Sequence, residues 1–261
     1  GTWNVSSYRP ADVRVMVEAG FSPLTAAVMC SRGYTELNEA RDFLAANEPL
    51  SDPFTLLDMD KAARRVRRAI DRREQICVFG DYDVDGITAT CLLTDFLRRH
   101  GEEGYGLNEM ALHSLREQNV QLIVTVDCGI TANDEAALCR ALGMELVITD
   151  HHECKSELPE AVAVVDPHRL DQPQPASELA GVGVAFKLAC AIGGDTASLL
   201  REYCDFLCLG TVADVMPLTG ENRTMVAEGL KSLENPKRVG LAALMAECGA
   251  GHGPPTAGTI G

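Results

Sequence analysis

One stretch limits the possible folds more than any other: Cys77-Val78-Phe79 runs into Gly80-Asp81-Tyr82-Asp83-Val84-Asp85-Gly86, so an apolar run stops at three alternate aspartates. Ile76 to Phe79 predicts a buried strand of a parallel sheet, and Gly86 to Arg99 predicts the helix that follows it. The aspartates then fall in the strand-to-helix turn, at the carboxyl edge of the sheet, where open α/β folds bind ligands. In an extended turn Asp81, Asp83 and Asp85 would point to one side. Carboxylates so placed repel one another, a poor arrangement for stability and a good one for a hard divalent cation. The plainer reading is an acidic, solvated loop.

The same pattern recurs along the chain. Gln121 to Val126 predicts a second strand ending in Asp127-Cys128-Gly129, and Thr131 with Asp134 forms a capping-box-like helix start. Met144 to Thr149 predicts a third strand, delivering Asp150-His151-His152, and Val162 to Val165 a fourth, followed by Asp166-Pro167-His168. Strands separated by helices need crossover connections, so the fold class is α/β, with a mainly parallel sheet flanked by helices. A lone histidine is usually a satisfied surface or core residue. Here two histidines arrive at the edge that already holds the other acids, which favours His151 as a metal ligand. Either Asp150 or Asp166 could orient the imidazole.

Outside the motifs the chain reads more plainly. Residues 1–50 form a helical lead-in, with Ser22-Pro23 as a helix start, a further helix over Thr35 to Leu44, and Trp3 as a packing anchor. From Met59, apolar Ala62, Ala63, Val66, Ala69 and Ile70 share one helical stripe, while Lys61, Arg64, Arg65, Arg68 and Arg72 form a basic face that could touch a nucleic-acid backbone and reads more simply as solvated. The glycines of Leu179-Ala180-Gly181-Val182-Gly183 stand at a helix start. They could let amides approach a phosphate, and helix packing explains them equally. Leu199 to Leu209 predicts an apolar helix leading to Asp214, a carboxylate that would need a cation if buried. Residues 224–247 read as helices, one starting at Asn235-Pro236, and 249–261 reads as a linker-like tail.

Composition excludes some classes. No apolar run approaches the roughly 18 residues that span a bilayer, so the expectation is a cytoplasmic protein without membrane contact. The ten cysteines are scattered without a C-x-x-C pair, which fits buried reduced thiols better than zinc or disulfides. The net charge of −15 argues against a general polyanion binder, although bound metals and a local basic groove can reverse the field at a phosphate.

The ordered motifs Gly80–Gly86, Val126–Ile130, Thr149–His152, Val164–His168, Ala180–Lys187 and Leu209–Arg223 resemble those of DHH phosphoesterases, in the form found in RecJ-type single-strand exonucleases. The resemblance implies a DHH phosphoesterase domain over 51–248, with the following substrate-binding domain absent from this chain. It implies two divalent cations, Mn2+ or Mg2+, held by Asp83, Asp85, Asp127, His151 and Asp214, with Asp127 bridging. Asp81 and His152, together with Asp127, would act on metal-bound water or the phosphate, and Gly181 and Gly183 would face the substrate. Where some relatives carry a histidine ligand this chain has Phe79, which implies a thinner shell for one metal. The implied reaction is 5′-to-3′ hydrolysis of single-stranded DNA in recombination and repair, alongside other repair or recombination proteins. The alternatives are a phosphatase or phosphodiesterase on oligonucleotides, pAp-like nucleotides or pyrophosphate, and a non-catalytic scaffold. The family also has a longer connection before Glu102, so either this protein lacks a strand there or residues are missing between Gly101 and Glu102.

Overall fold

A computed structural model describes residues 6–99, 109–155, 157–173, 178–248 and 253–261. The chain divides into two compact units, Gly1–Pro49 and Leu50–Gly261. In the first, α1 (Pro10–Glu18), α2 (Pro23–Ser31) and α3 (Leu37–Ala45) enclose a small core of Met16, Ala26, Met29, Cys30 and Ala40. Ser22 caps α2, its hydroxyl accepting from the Thr25 amide, and Pro23 occupies the first turn as the sequence predicts. The expected Trp3 anchor and the connection between Gly101 and Glu102 lie outside the described residues, as does the start of the tail, 249–252.

The second unit follows the order α4 (Met59–Arg72), β1 (Gln75–Gly80), α5 (Val84–Arg98), α6 (Glu109–Glu117), β2 (Val120–Val126), α7 (Asn133–Ala141), β3 (Glu145–Thr149), β4 (Ala163–Val165), α8 (Gly181–Gly193), α9 (Thr196–Ala213), α10 (Gly220–Leu233), α11 (Val239–Glu247) and α12 (Ala257–Ile260). The four strands form one parallel sheet in the order β1-β2-β3-β4. Side chains alternate between the two faces of a strand, and the sheet is buried on both. Ile76, Val78, Leu122, Val124, Val126 and Val147 pack under α4, α5 and α8, while Cys77, Ile123, Leu146 and Ile148 pack with Leu112, Leu115, Ala136 and Cys139 of α6 and α7. Because all strands run one way, every turn that carries a motif acid lies at one edge. That alignment makes the site.

Several expectations change. The Arg65 guanidinium is buried, not solvated: it donates to Glu74 and to Glu145, an acid at the start of β3. The basic helix face is therefore partly a clamp on the sheet, and Arg67 donates to Ala191 and Ile192 carbonyls at the end of α8. The helix after Thr131 begins at Asn133 with Ala132 as N-cap and no side-chain cap bond, so Asp134 sits inside its first turn without a capping box. The last long helix starts at Val239, not at Asn235-Pro236. The tail is not wholly linker: α12 forms there, and Ile260 packs against the cluster of Cys208, Val226 and Leu233. The cysteines are free thiols, and among the described residues no helix is long and apolar enough to cross a membrane.

Candidate metal centre at the carboxyl edge

The turn after β1 is not extended through its three acids. Asp83 is the N-cap of α5, its Oδ1 accepting from the Gly86 amide at 2.9 Å, so Asp85 already lies in the first helical turn. Glycine makes this compact turn possible. A Cβ on Gly86 would come within 2.4 to 2.7 Å of the Asp81 backbone, and one on Gly80 within 2.6 Å of the Gly86 carbonyl. The helical twist separates the acids. Asp81 and Asp83 group with Asp127, whereas Asp85 turns inward, 1 % exposed, to group with His151 and Asp214.

Asp127 follows β2 in the left-handed backbone region, φ 60°, and Gly129 repeats it at φ 110°. Such a conformation is unusual for a residue with a side chain and marks a position fixed by its surroundings. It buries the carboxylate where it can meet both groups. His151, from the turn after β3, brings Nε2 to 3.0 Å from Asp127 Oδ1, 3.7 Å from Asp85 Oδ2 and 3.6 Å from Asp214 Oδ2. Asp214, the C-cap of α9, is half-buried, less enclosed than its apolar flank suggests.

Asp150 orients this turn. Its Oδ1 accepts from the His151 and His152 amides and lies 2.7 Å from His152 Nδ1, while Oδ2 accepts from the Ile130 amide. Asp166 accepts from the His168 amide, and the His168 ring contacts the His151 carbonyl at 2.5 Å. Of the two carboxylates considered for orienting imidazole, Asp150 thus holds His152, and Asp166 steadies the His151 backbone through His168.

The electrostatics match a cation site. Burial, then repulsion from Asp127, pushes the Asp85 carboxyl up to about 7 despite donors from the Val182 and Gly181 amides. Burial also raises Asp127, with Asp83 adding repulsion and His151 opposing it, and raises Asp214. For His151, burial is outweighed by Asp127, Asp85 and Asp214, which raise its proton affinity. The Asp150 contact lifts His152 to about 9. Asp127 Oδ1 is buried and makes no hydrogen bond of good geometry, although His151 Nε2 is close. A buried, underbonded carboxylate among other acids fits a hard divalent cation, and carboxylate with imidazole suits Mn2+ or Mg2+.

Gly181 and Gly183 both stand in the first turn of α8. The Gly181 and Val182 amides donate to Asp85 Oδ2 and Oδ1 at 2.6 and 2.9 Å, so the N-terminus of α8 binds an acid of the protein itself. A Cβ on Gly181 would lie 2.4 Å from Asp127 Cβ, and one on Gly183 would press on Leu179 at 3.1 Å. Sequence reasoning missed Gly210, where a Cβ would stand 2.6 Å from Asp85 Oδ1. Its signal was a glycine inside an otherwise apolar helix.

The family model described as "DHH family, N-terminal domain" matches residues 75–211. The single-stranded-DNA-specific exonuclease RecJ of Bacillus subtilis is 40% identical over 252 residues, 92% of this chain and 32% of that protein. Among solved structures, RecJ from Thermus thermophilus in complex with Mn2+ is similar at a TM-score of 0.79 and 31% identity, covering 93% of this chain and 36% of the other. The same protein in complex with Mg2+ gives 0.69 and 29%, over 93% and 33%. The chain spans about a third of the length of these relatives.

Proposed function

This chain belongs to the DHH family, and from that premise we propose that it is the catalytic core of a cytoplasmic exonuclease that hydrolyses single-stranded DNA from its 5′ end in recombination and repair. One observation carries the reading: acids and histidines from the turns after β1, β2 and β3 and from the end of α9 form three groups, joined through Asp127 and His151. The likeness to a single-stranded-DNA-specific exonuclease supports the substrate, and relatives solved with Mn2+ and Mg2+ support the cations. Repair or recombination proteins are its expected partners.

Asp83, Asp85, Asp127, His151 and Asp214 would hold two divalent cations, with Asp81 beside them. Bound there, the cations supply a water of lowered pKa and neutralise charge on the phosphoryl oxygens. The protein's own groups then position and protonate. Asp127 links the two halves of the site, and its fixed backbone holds that link in place. His152 is tied to Asp150 through Nδ1, a contact that orients the ring and raises its proton affinity. It is suited to donating a hydrogen bond to a phosphate oxygen or a proton to the leaving oxygen.

The test is digestion, with Mn2+, of 5′- or 3′-labelled single strands of several lengths, duplex DNA, short RNA and pyrophosphate. Mononucleotides from the 5′ end of single strands are expected, and Asp127→Asn should lower the rate by about 10³-fold or more. Mn2+ should raise the melting temperature of the parent protein and not of Asp127→Asn. Without metal the variant should melt no lower, since it removes a charge from a crowded buried cluster. Activity confined to pyrophosphate or dinucleotides would instead assign a small-substrate phosphoesterase.

A further inference from the structure

We propose that the ring of Tyr82 is a stacking platform for a nucleobase of the strand whose phosphodiester lies at the acidic edge, an inference that rests on the nuclease reading above. Tyr82 stands between Asp81 and Asp83, yet its side chain is 90% exposed, while those acids join the Asp127 group. The ring adds almost no buried area to the fold. Its backbone, in contrast, is fixed on both sides: the Tyr82 amide donates to Asp81 Oδ1 at 2.7 Å, and Asp83 caps α5. A rigid turn thus presents an open aromatic face beside the reacting centre.

The surroundings point the same way. Val84 and Ile87, on the first turn of α5, are 46% and 52% exposed, and Val215, next to Asp214, is 86% exposed. Val215 also holds φ 57°, a costly backbone conformation for a β-branched residue. Base stacking on an aromatic ring adds grip at this end of the strand whatever its sequence, because every base has a π-face.

The experiment uses short single strands whose 5′-terminal nucleotide either bears a base or is abasic, cleaved with Mn2+ by the parent protein, Tyr82→Ala and Tyr82→Phe. Stacking predicts that the parent prefers the base-bearing strand in kcat/KM by roughly tenfold or more, mainly through KM. The preference should collapse in Tyr82→Ala and persist in Tyr82→Phe, with the Mn2+ melting shift intact in both. A second readout is independent of cleavage: quenching of a terminal 2-aminopurine in a phosphorothioate-linked strand, lost in Tyr82→Ala and kept in Tyr82→Phe. Equal preference and equal quenching in parent and Tyr82→Ala would overturn the proposal. Quenching that depends on Tyr82 in a protein that cleaves no strand would retain the platform and sink the nuclease reading.

Discussion

At the scale of single residues, glycine decides how closely the acids can be assembled. Gly181 lies against Asp127, and its missing side chain is the space the carboxylate occupies. Gly181→Ala would force Asp127 or the start of α8 to move, since a Cβ would sit 2.4 Å from Asp127 Cβ. Overpacking of this kind costs about 1 to 3 kcal/mol, and misplacing a reacting group by an ångström costs about 10²-fold in rate. Gly181→Ala should therefore lose about 10²-fold in Mn2+-dependent hydrolysis while still folding. Gly240→Ala is the control: nothing lies within 4 Å of its Cβ position, so activity should be unchanged and stability should rise by about 0.5 to 1 kcal/mol. The acids were legible in the sequence because each ends an apolar run. The roles of Gly181 and Gly210 were not, because a glycine that yields to a carboxylate reads the same as one that yields to a phosphate or to another helix.

At the scale of elements, the sheet is held to its neighbours by charged clamps that periodicity alone places on the wrong face. Arg169, from the turn after β4, donates to Asp58 Oδ2 and the Val164 carbonyl at 2.9 and 2.6 Å, and to both oxygens of Asp171. Asp58 precedes α4 with φ 60°, so the clamp pins the start of that helix to the last strand. Burial alone would raise Asp58, but bonds from Lys61, Arg169 and the Val164 amide outweigh it and hold the carboxyl below its usual value. A carboxylate depressed in the fold is protonated first in the unfolded chain, so its contribution is present above the unfolded pKa and disappears as pH falls through the folded one. Arg169→Met should cost about 2 to 4 kcal/mol by leaving Asp58 and the Val164 carbonyl short of a donor. Urea unfolding from about pH 6 down to about 3 should also show a weaker loss of stability in the variant than in the parent. An equal pH slope in both would remove Asp58 from the account. The strands themselves were readable to within a residue or two, because burial on both faces leaves an unbroken apolar run. Arg65 was misplaced for a related reason: on a helix stripe an arginine looks solvated, and it is Glu74 together with the third strand's Glu145 that compensates its burial.

At the scale of the whole second unit, one buried ion pair joins segments far apart in sequence. Lys187 Nζ lies 2.5 Å from Glu221 Oε2 and donates to the Ser51 carbonyl at 2.7 Å, and the Ser51 hydroxyl donates to Glu221 Oε1. Both charged side chains are almost fully buried. The motifs at 180–187 and 209–223 carry these two residues, and the sequence offered no reason to connect them, since two charges in separate apolar segments each look like surface positions. The connection has a mechanical consequence. Lys187 stands in α8, whose first residue presses on Asp127, and Glu221 stands in the first turn of α10, just beyond Asp214. The pair therefore fixes the spacing of two elements that shape the metal centre. Lys187→Met alone strands a buried carboxylate and should cost about 3 to 5 kcal/mol in chemical denaturation. Adding Glu221→Leu removes that carboxylate, and the double variant should recover much of the stability, because a buried pair and an apolar replacement of similar volume are often close in energy. If the pair only supports the fold, activity should recover with stability. If it sets the position of Asp214 against Asp127, the double variant should fold, yet bind Mn2+ more weakly than the parent, read as a smaller melting shift at equal metal concentration. We expect the second result, since a salt bridge anchored by the Ser51 bonds is directional and hydrophobic contact is not.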